Sequence, residues 1–367
     1  MPVTESSALP RAAAARVTGR SLPERFRRQA DSLERAGRSP LCVRLMHDAA
    51  RNIDARGVVA ELYDGVSVPA GSVPALRLLG ALHYLVLAGR ARALAEFYPS
   101  AGGTRPPAGV WPVADAALRE HFDWVRGRVG RTVQTNEPGR AAALFSALLW
   151  LTDRYRMPIR LLEVGASAGL NLLVDRFCYL VGDRALGDPT SPVRFLEPWS
   201  PPPDIDLLDA ARSLQIAERS GCDVAPLDPA SPEDRLLALS YIWPDEPERM
   251  DRIRAALELA AHDPPPIAAA PADTWLPAKL ADRPADVLTV VWHSVFRQYV
   301  GPDRWTELEA IYARSARASP RAPIVWLSME PGDDHLANMQ LSVRLSPREP
   351  ERHLAWCGDH GPPVRWE

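Results

Sequence analysis

Apolar residues recur at helical spacing through the first third of the chain. The segments "LPERFRRQADSLERAG", "PLCVRLMHDAARNID" and "VPALRLLGALHYLVLAGRARALAEFYP" place them three or four positions apart, which is typical of one buried face of an α-helix. None of these segments has the alternation of a strand. We therefore predict a disordered tail over residues 1–20 and a helical N-terminal domain over residues 21–132.

The pattern changes in residues 133–367, where short apolar runs alternate with amphipathic segments. The runs "IRLLEV", "DVAPLD", "PIAAAP", "DVLTVVWHSVF" and "APIVWLSMEP" predict strands or strand ends, and residues 232–261 and 303–317 predict helices. Strands that alternate with helices form a parallel sheet. Two final segments, "NMQLSVRLSP" and "RHLAWCGDHGPPVRW", predict a pair of strands. The expected fold is α/β, with a mostly parallel, Rossmann-like sheet of methyltransferase type that ends in an antiparallel hairpin.

A polar cluster precedes the first predicted strand in "QTNEPGRAAALFSALLW", residues 134–150. Asn136 is placed to cap a helix whose first turn contains Pro138, where a missing N–H costs little. The cluster of residues 134–137 has two interpretations. It either caps this helix or closes over a bound ligand.

The stretch "LLEVGASAGLNLLVDRF", residues 161–177, predicts a buried strand, a glycine-rich turn and an apolar helix. Two chemistries use such a turn. The letters G-A-S-A-G fit the nucleophile elbow of serine hydrolases, with Ser167 as nucleophile. The letters E-V-G-A-S-A-G fit the cofactor loop of a Rossmann-like fold, in which glycines let the backbone turn tightly beside a ligand.

The surrounding pattern favours the cofactor loop over the elbow. An elbow follows several strands and an oxyanion-hole loop, but the preceding 130 residues have a helical pattern and contain no H-G-G-G stretch. A triad of Ser167, an acid and a histidine is available in sequence order. The acids are Asp273 or Asp286, and the histidines are His293 or His335, a combination that a chain of this length offers by chance.

Composition bears on the kinds of partner and the cellular compartment that we expect for the protein. The 367 residues are 46% hydrophobic and 24% charged, with a formal net charge of −3, so no overall field attracts nucleic acid or an anionic membrane. No run of about 18 apolar residues predicts a membrane span, and the N-terminus lacks a secretory h-region. The four cysteines have no C-x-x-C spacing, which favours a reducing cytoplasm and argues against a zinc site. Nothing in the sequence indicates an oligomeric state.

Two resemblances follow from these motifs. The set "VQTNEPGR", "LLEVGASAGLNLL", "YIWPDEPERMDRI", "TVVWHSVFRQYV" and "WLSMEP" resembles a bacterial family, abundant in actinobacteria, that is described as domain of unknown function 2332. This resemblance covers about residues 22–367 and implies no reaction. More distantly, the first loop and the strand order resemble class I methyltransferases, which use S-adenosylmethionine.

The methyltransferase resemblance implies a role for each candidate residue. The loop would bind the amino-acid end of the cofactor, with Glu163 as a hydrogen-bond acceptor and the helix from about Ala168 offering free N–H groups. Asp223 in "GCDVAPLD" would accept hydrogen bonds from the ribose hydroxyls. It follows the loop by more than fifty residues, so "CYLVGDRALGDPTSPVRFLEPWSPPP" would be an inserted hairpin. If "CYLVGD" is instead the second strand, Asp183 takes the ribose role.

Further along, Asp273 would meet the adenine amine and Trp275 would stack on the ring. His293 ends the fourth predicted strand, where it would serve as a general base, and the "DDH" at 333–335 would line the acceptor pocket. The predicted cofactor-binding residues are Glu163, Gly165, Ala166, Ser167, Gly169, Asn171, Asp223, Asp273 and Trp275.

The sequence therefore predicts a cytoplasmic, S-adenosylmethionine-dependent methyltransferase acting on a small molecule, with no metal, nucleic-acid or membrane partner. Two alternatives remain open. One is a non-catalytic binding or regulatory protein on the same fold, and the other is a serine hydrolase that uses the GASAG loop.

Overall fold

A computed structural model describes residues 20–69, 71–332 and 338–367. The tail predicted over residues 1–20 lies almost entirely outside this range, as does the "DDH" segment at 333–335 with His335. No helix in the described part of the chain combines the length and the apolar character needed to cross a bilayer.

The first part of the chain is helical. Eight α-helices precede the sheet in the part of the chain that the structure describes: α1 (Leu22–Arg35), α2 (Pro40–Asp54), α3 (Val58–Tyr63), α4 (Pro74–Leu87), α5 (Arg92–Ala95), α6 (Val110–Glu120), α7 (Phe122–Val129) and α8 (Ala141–Tyr155). Helices α1–α7 share one hydrophobic cluster, to which Trp243 from the second half of the chain also belongs. No strand occurs among the described residues before Ile159. The domain boundary at 132/133 stays a prediction.

Among the described residues, the second part of the chain contains all the strands and five more α-helices. The strands are β1 (Ile159–Val164), β2 (Cys178–Val181), β3 (Arg184–Gly187), β4 (Arg194–Leu196), β5 (Ile216–Asp223), β6 (Ile267–Ala269), β7 (Leu288–Ser294), β8 (Ile324–Pro331), β9 (Met339–Arg344), β10 (Arg352–Gly358) and β11 (Gly361–Trp366). The helices are α9 (Leu207–Ser213), α10 (Pro232–Ser240), α11 (Pro247–His262), α12 (Ala272–Ala281) and α13 (Pro302–Ala318).

Eight strands form the main sheet, in the order β11-β10-β9-β8-β7-β1-β5-β6. The five strands from β6 to β8 are parallel, and β9, β10 and β11 continue the sheet with antiparallel pairings. The expectation of an α/β fold with a mostly parallel sheet and a terminal antiparallel hairpin is confirmed. The hairpin differs in one detail. "RHLAWCGDHGPPVRW" folds back on itself and supplies both β10 and β11, so three antiparallel strands follow β8 rather than two.

The central strands are apolar because helices cover both faces of the sheet. Along β1, Ile159 and Leu161 join the hydrophobic cluster that contains α8 and α11. Leu162 and Val164 join the opposite cluster, which contains α12 and α13. This alternation follows from the two-residue period of a strand. It fixes which polar side chains near the carboxyl end of each strand share a face.

The insertion predicted between β1 and β5 is present as a second, three-stranded sheet. Strand β2 pairs antiparallel with β3 and parallel with β4. Tyr179 of β2 is fully buried and stacks on Phe145 of α8, with ring centroids 4.1 Å apart, and on Phe195 of β4. This stack attaches the insertion to the helix that covers the main sheet.

Both edges of the main sheet offer little free backbone for pairing with a further strand. Strand β6, at one edge, has three residues. At the other edge, the backbone of β11 is paired with the segment 198–201: Val364 N donates to Pro198 O (2.9 Å), Ser200 N donates to Val364 O (2.9 Å), and Trp366 N donates to Pro201 O (3.2 Å). The return segment of the insertion therefore covers the C-terminal edge.

We expect Tyr179→Ala to destabilise the protein by about 3–5 kcal/mol, because truncating a buried aromatic side chain leaves a cavity. Leu196→Ala, on the adjacent strand, is the matched control, since Leu196 is 74% exposed. Chemical denaturation measures both. Equal free energies of unfolding for the two variants would show that the aromatic stack does not hold the insertion in place.

Candidate functional site

The order of the parallel strands reverses on either side of β1, because β5 and β6 extend to one side and β7 and β8 to the other. Ligands of open α/β sheets bind in the crevice at such a point, beyond the carboxyl ends of the strands. A cleft enclosing about 630 Å³, part of it open to solvent, lies at this position. Its lining comprises residues 132–135 with Arg140, Gly165 and Ser167, residues 222–224, Ala270 and Ala272, and residues 294–296 with Tyr299.

The turn after β1 is held against β5 by backbone hydrogen bonds. Gly165 N and Ala166 N both donate to Cys222 O, at 2.9 and 3.0 Å, and Ser167 N donates to the Oδ2 of Asp223 at 3.0 Å. Gly165 and Ser167 have φ values of +74° and +51°, so a serine occupies a backbone region that favours glycine. Strained serine backbones occur at functional sites, and here the conformation turns the Ser167 amide toward Asp223.

The two glycines of the loop have different roles. Gly165 lines the cleft, and a Cβ there would lie 2.5 Å from Cδ2 of Phe296. Gly169, with φ of +73°, is not part of the lining, and a Cβ there would lie 2.6 Å from Cγ of Pro265. Gly169 therefore allows close packing beneath the loop. The structure does not bring it to the cleft with Gly165.

A helix follows the loop, as predicted, but it is not a regular α-helix. Residues Leu170–Arg176 form a kinked 3₁₀ helix, and its first amide is already used, since Leu170 N donates to the Oδ1 of Asn136 at 2.8 Å. The expected row of free N–H groups from Ala168 onward is therefore not what this segment supplies. Asn136 also does not cap α8. Glu137 takes that role for the 3₁₀ turn before α8, through its hydrogen bond with Gly139 N.

Asp223 ends β5 and lines the cleft beside the loop. Its Oδ1 accepts from Ala225 N (2.9 Å) and from Nε2 of Gln134 (3.3 Å), in addition to the Oδ2 bond with Ser167 N. A carboxylate has about four acceptor positions, so one remains for a ligand. The next residue, Val224, is 63% exposed, and it gives this end of the cleft an apolar surface.

Asp183, the alternative to Asp223, is placed elsewhere. It lies in the turn between β2 and β3 of the second sheet, with its side chain 97% exposed. The segment "CYLVGD" is therefore not the second strand of the main sheet. Of the two acids, the structure brings only Asp223 to the cleft.

Asp273 and Trp275 also lie outside the lining of the cleft. Asp273 is in the first turn of α12 and pairs with Arg304, with its Oδ2 3.8 Å from the arginine Nε. Trp275 is 8% exposed and packs in the cluster between α12, α13 and the sheet. In this structure, their side chains contribute to packing and to the surface rather than to the cleft.

His293 lies on the face of the sheet opposite to Glu163. Its Nδ1 is 2.7 Å from the Oε1 of Glu330, and its Nε2 accepts from Nε1 of Trp326 at 2.9 Å. The indole can only donate, so the proton of the imidazole is on Nδ1 and is shared with Glu330. His293 lines a separate cavity of about 370 Å³ beneath α13. With both ring nitrogens engaged and the ring outside the cleft, the geometry does not support its expected role as base.

Glu163 is buried beneath the loop together with Ala166 and Asn171, and none of the three lines the cleft. Burial raises the pKa of Glu163 to about 8, although Asn171 and the charge of Arg140 favour the ionised form. The Glu163 Oε2 and both polar side-chain atoms of Asn171 have no hydrogen-bond partner with good geometry among the described residues. Burial therefore favours the neutral form of Glu163, which lies in a polar space under the loop.

The segment 134–137 is divided between the cleft and the structure behind it. Gln134 and Thr135 line the cleft, whereas Asn136 and Glu137 hold the structure behind it. Burial by itself would raise the pKa of Glu137, but the charge of Arg249 lowers it to about 2. The Oε2 of Glu137 is 2.6 Å from the Nη2 of Arg249 in α11.

Sequence reasoning missed Arg140. It follows the polar cluster after Pro138 and Gly139, it is 6% exposed, and it lines the cleft. Its Nη1 donates to Ser294 Oγ at 3.4 Å, while its Nε has no hydrogen-bond partner. The motif "VQTNEPGR" contains this arginine. Only the fold shows that α8 begins at the cleft and leaves the side chain there.

We expect Glu163→Gln to stabilise the protein at high pH and to leave its stability nearly unchanged at low pH. The folded pKa of about 8 exceeds the usual value of 4.5, so the parent loses stability as the pH rises through this window. At about 1.4 kcal/mol per pKa unit, the loss is roughly 5 kcal/mol. Denaturation at pH 5 and pH 9 measures it. The exposed Glu120→Gln is the control, and an equal effect of Glu163→Gln at both pH values would show that Glu163 is ionised.

A family model described as "Uncharacterized protein conserved in bacteria (DUF2332)" matches residues 23–366, nearly the whole chain. No curated protein matches the chain, and neither does a protein of known structure. The match confirms the resemblance noted in the sequence motifs. The chain therefore belongs to DUF2332, a family of uncharacterized bacterial proteins.

Proposed function

We propose that this protein binds S-adenosylmethionine in the cleft beyond β1, β5 and β7 and transfers its methyl group to a small molecule. The observation that carries the proposal is the position of Asp223, whose carboxylate ends the second strand of the sheet beside the glycine turn of the first. This combination of loop and acid is the arrangement used by Rossmann-like folds for a ribose.

The cleft offers complementary groups for such a ligand. Asp223 retains an acceptor position for a ribose hydroxyl, and the exposed Val224 next to it is an apolar surface for a purine ring. Bound there, the cofactor would supply an electrophilic methyl group.

The chain's own contribution would be placement. The rigid turn at Gly165 and Ser167 and the rim formed by residues 294–296 would fix the distance between methyl donor and acceptor, and such proximity is a large source of rate acceleration. His293 is held by Glu330 and Trp326, so we do not assign it a proton-transfer step. The acceptor would then need a nucleophile that reacts without a histidine base.

The engagement of His293 is also the observation that favours a second candidate, a binding or regulatory protein on the same fold. No histidine or lysine lines the cleft in the described part of the chain. Binding of S-adenosylmethionine without methyl transfer to a broad panel of small-molecule acceptors would support this candidate.

We expect calorimetry to detect S-adenosylmethionine binding and Asp223→Asn to weaken it tenfold or more, since a hydrogen bond to a charged group contributes about 1.5–3 kcal/mol. Asp183→Asn removes the same charge from an exposed turn and should leave the affinity unchanged. No binding to folded parent protein at millimolar ligand would rule out the proposal. Equal affinity of parent and Asp223→Asn would rule out the assignment of Asp223.

The hydrolase alternative is tested at Ser167, whose Oγ has no hydrogen-bond partner among the described residues. We expect a fluorophosphonate probe not to label the protein, because no histidine in the described part of the chain is hydrogen-bonded to the Ser167 hydroxyl to activate it. Ser167→Ala should keep cofactor affinity within about tenfold, since a neutral hydrogen bond contributes about 0.5–1.5 kcal/mol. Labelling of the parent that is lost in Ser167→Ala would instead establish a nucleophilic serine.

A further inference from the structure

Arg140 differs from the other buried arginines in its surroundings. Arg283 is equally buried, and its guanidinium donates to the carbonyl oxygens of Ala322 and Ser315, both at 2.6 Å. Arg77 donates to the carbonyl oxygen of Val129 at 3.1 Å. Arg140 has a single 3.4 Å contact with the hydroxyl of Ser294 and forms no ion pair within the described residues.

An unpaired buried charge is unfavourable, because the protein interior does not replace the water that solvated it. Burial accordingly lowers the pKa of Arg140, although an arginine stays protonated at neutral pH. The charges of Glu137 and Glu330 favour the protonated form of Arg140, but both acids are engaged elsewhere. Glu137 is paired with Arg249, and Glu330 accepts from His293 and from two backbone amides. Burial raises the pKa of Glu163 and so favours its neutral form.

Arg140 and Asp223 occupy different ends of the cleft. Arg140 contacts Ser294 at the carboxyl end of β7, whereas Asp223 ends β5, and β1 lies between those strands. Two strand spacings separate the two ends, a distance of about 10 Å. The cleft thus has an acceptor-rich end beside Val224 and a cationic end beside Tyr299.

We propose that Arg140 is the anion-binding residue of this cleft and pairs with a carboxylate or phosphate of the molecule bound there. The planar guanidinium forms paired hydrogen bonds with either group, and Arg140 lines the cleft without an ion pair to a described acid. The inference deepens the proposed function and relies on it for the identity of the nucleoside ligand. The anion belongs either to the cofactor, as its carboxylate, or to the acceptor.

The test measures three ligands against three proteins. The ligands are S-adenosylmethionine, 5′-methylthioadenosine, which has the same nucleoside but no carboxylate, and inorganic phosphate at constant ionic strength. The proteins are the parent, Arg140→Gln and the control Arg297→Gln. Arg297 is exposed, lies on the loop after β7 and contacts the face of Trp305, so its substitution removes the same charge from the same region outside the cleft.

A cofactor carboxylate at Arg140 predicts that Arg140→Gln weakens S-adenosylmethionine binding tenfold or more and leaves 5′-methylthioadenosine binding unchanged. An acceptor anion predicts that both nucleosides bind Arg140→Gln like the parent, while thermal stabilisation by phosphate is lost in this variant alone. If neither nucleoside binds the parent but phosphate stabilises it through Arg140, the proposed function fails and the anion site stands. Identical responses of parent and Arg140→Gln to all three ligands would overturn the inference.

The melting temperature without ligand provides an independent readout. Removing a structural arginine lowers the stability of the fold. Removing an unpaired buried charge that serves ligand binding should not lower it. We expect Arg140→Gln to melt at the same temperature as the parent or higher. A lower melting temperature with unchanged ligand responses would make Arg140 a structural residue and would also overturn the inference.

Discussion

The close packing of the turn after β1 against β5 is the constraint on which the cleft depends. Gly221 has no side chain, and a Cβ there would lie 2.7 Å from the Cβ of Ala166. This space lets two loop amides reach the single carbonyl of Cys222, and it places the amide of Ser167 on the carboxylate of Asp223. Any larger residue at Gly221 would push the loop away from β5 and separate the two halves of the site.

The sheet divides the polar residues near the cleft between its two faces. Glu163 lies toward α8, with Asn171 and Arg140 as its neighbours. His293, one strand away, lies toward α13. There Glu330 accepts from His293 and also from the amides of Phe296 and Arg297, so the histidine helps to position the rim of the cleft from behind.

Much of the architecture could be predicted from the sequence, because strands and helices differ in the local period of their hydrophobic residues. The buried runs that became β1, β7 and β8 were predicted in order. An insertion was expected from the spacing between the loop and Asp223, but as a hairpin rather than as the three-stranded sheet that the structure shows. Long-range packing was not predictable in this way. Trp275 and His293 have the residue types of a ligand site, but the strand period turns His293 toward α13, and helix α12 buries Trp275.

Arg140, in contrast, was not predicted from the sequence, but the fold places it at the cleft. Its position after a polar cluster and before an apolar helix resembles an ordinary first-turn cation, and nothing local marks it as unpaired. Its role depends on which carbonyls and acids the fold brings near it. Gly169 is a similar case, because a glycine required by close packing against Pro265 and Ile267 has the same sequence signature as one required by a ligand.

The covered edges of the main sheet have a consequence for how copies of this protein meet. A free edge exposes a row of N–H and C=O groups on which another chain can add a strand, and such edges promote aggregation and domain exchange. Here β6 has only three residues, which is too short to serve as a template. The backbone groups along the outer edge of β11 are already hydrogen-bonded to the 198–201 segment. A strand of a second chain therefore has no continuous, unpaired backbone ladder to join along either edge of the main sheet.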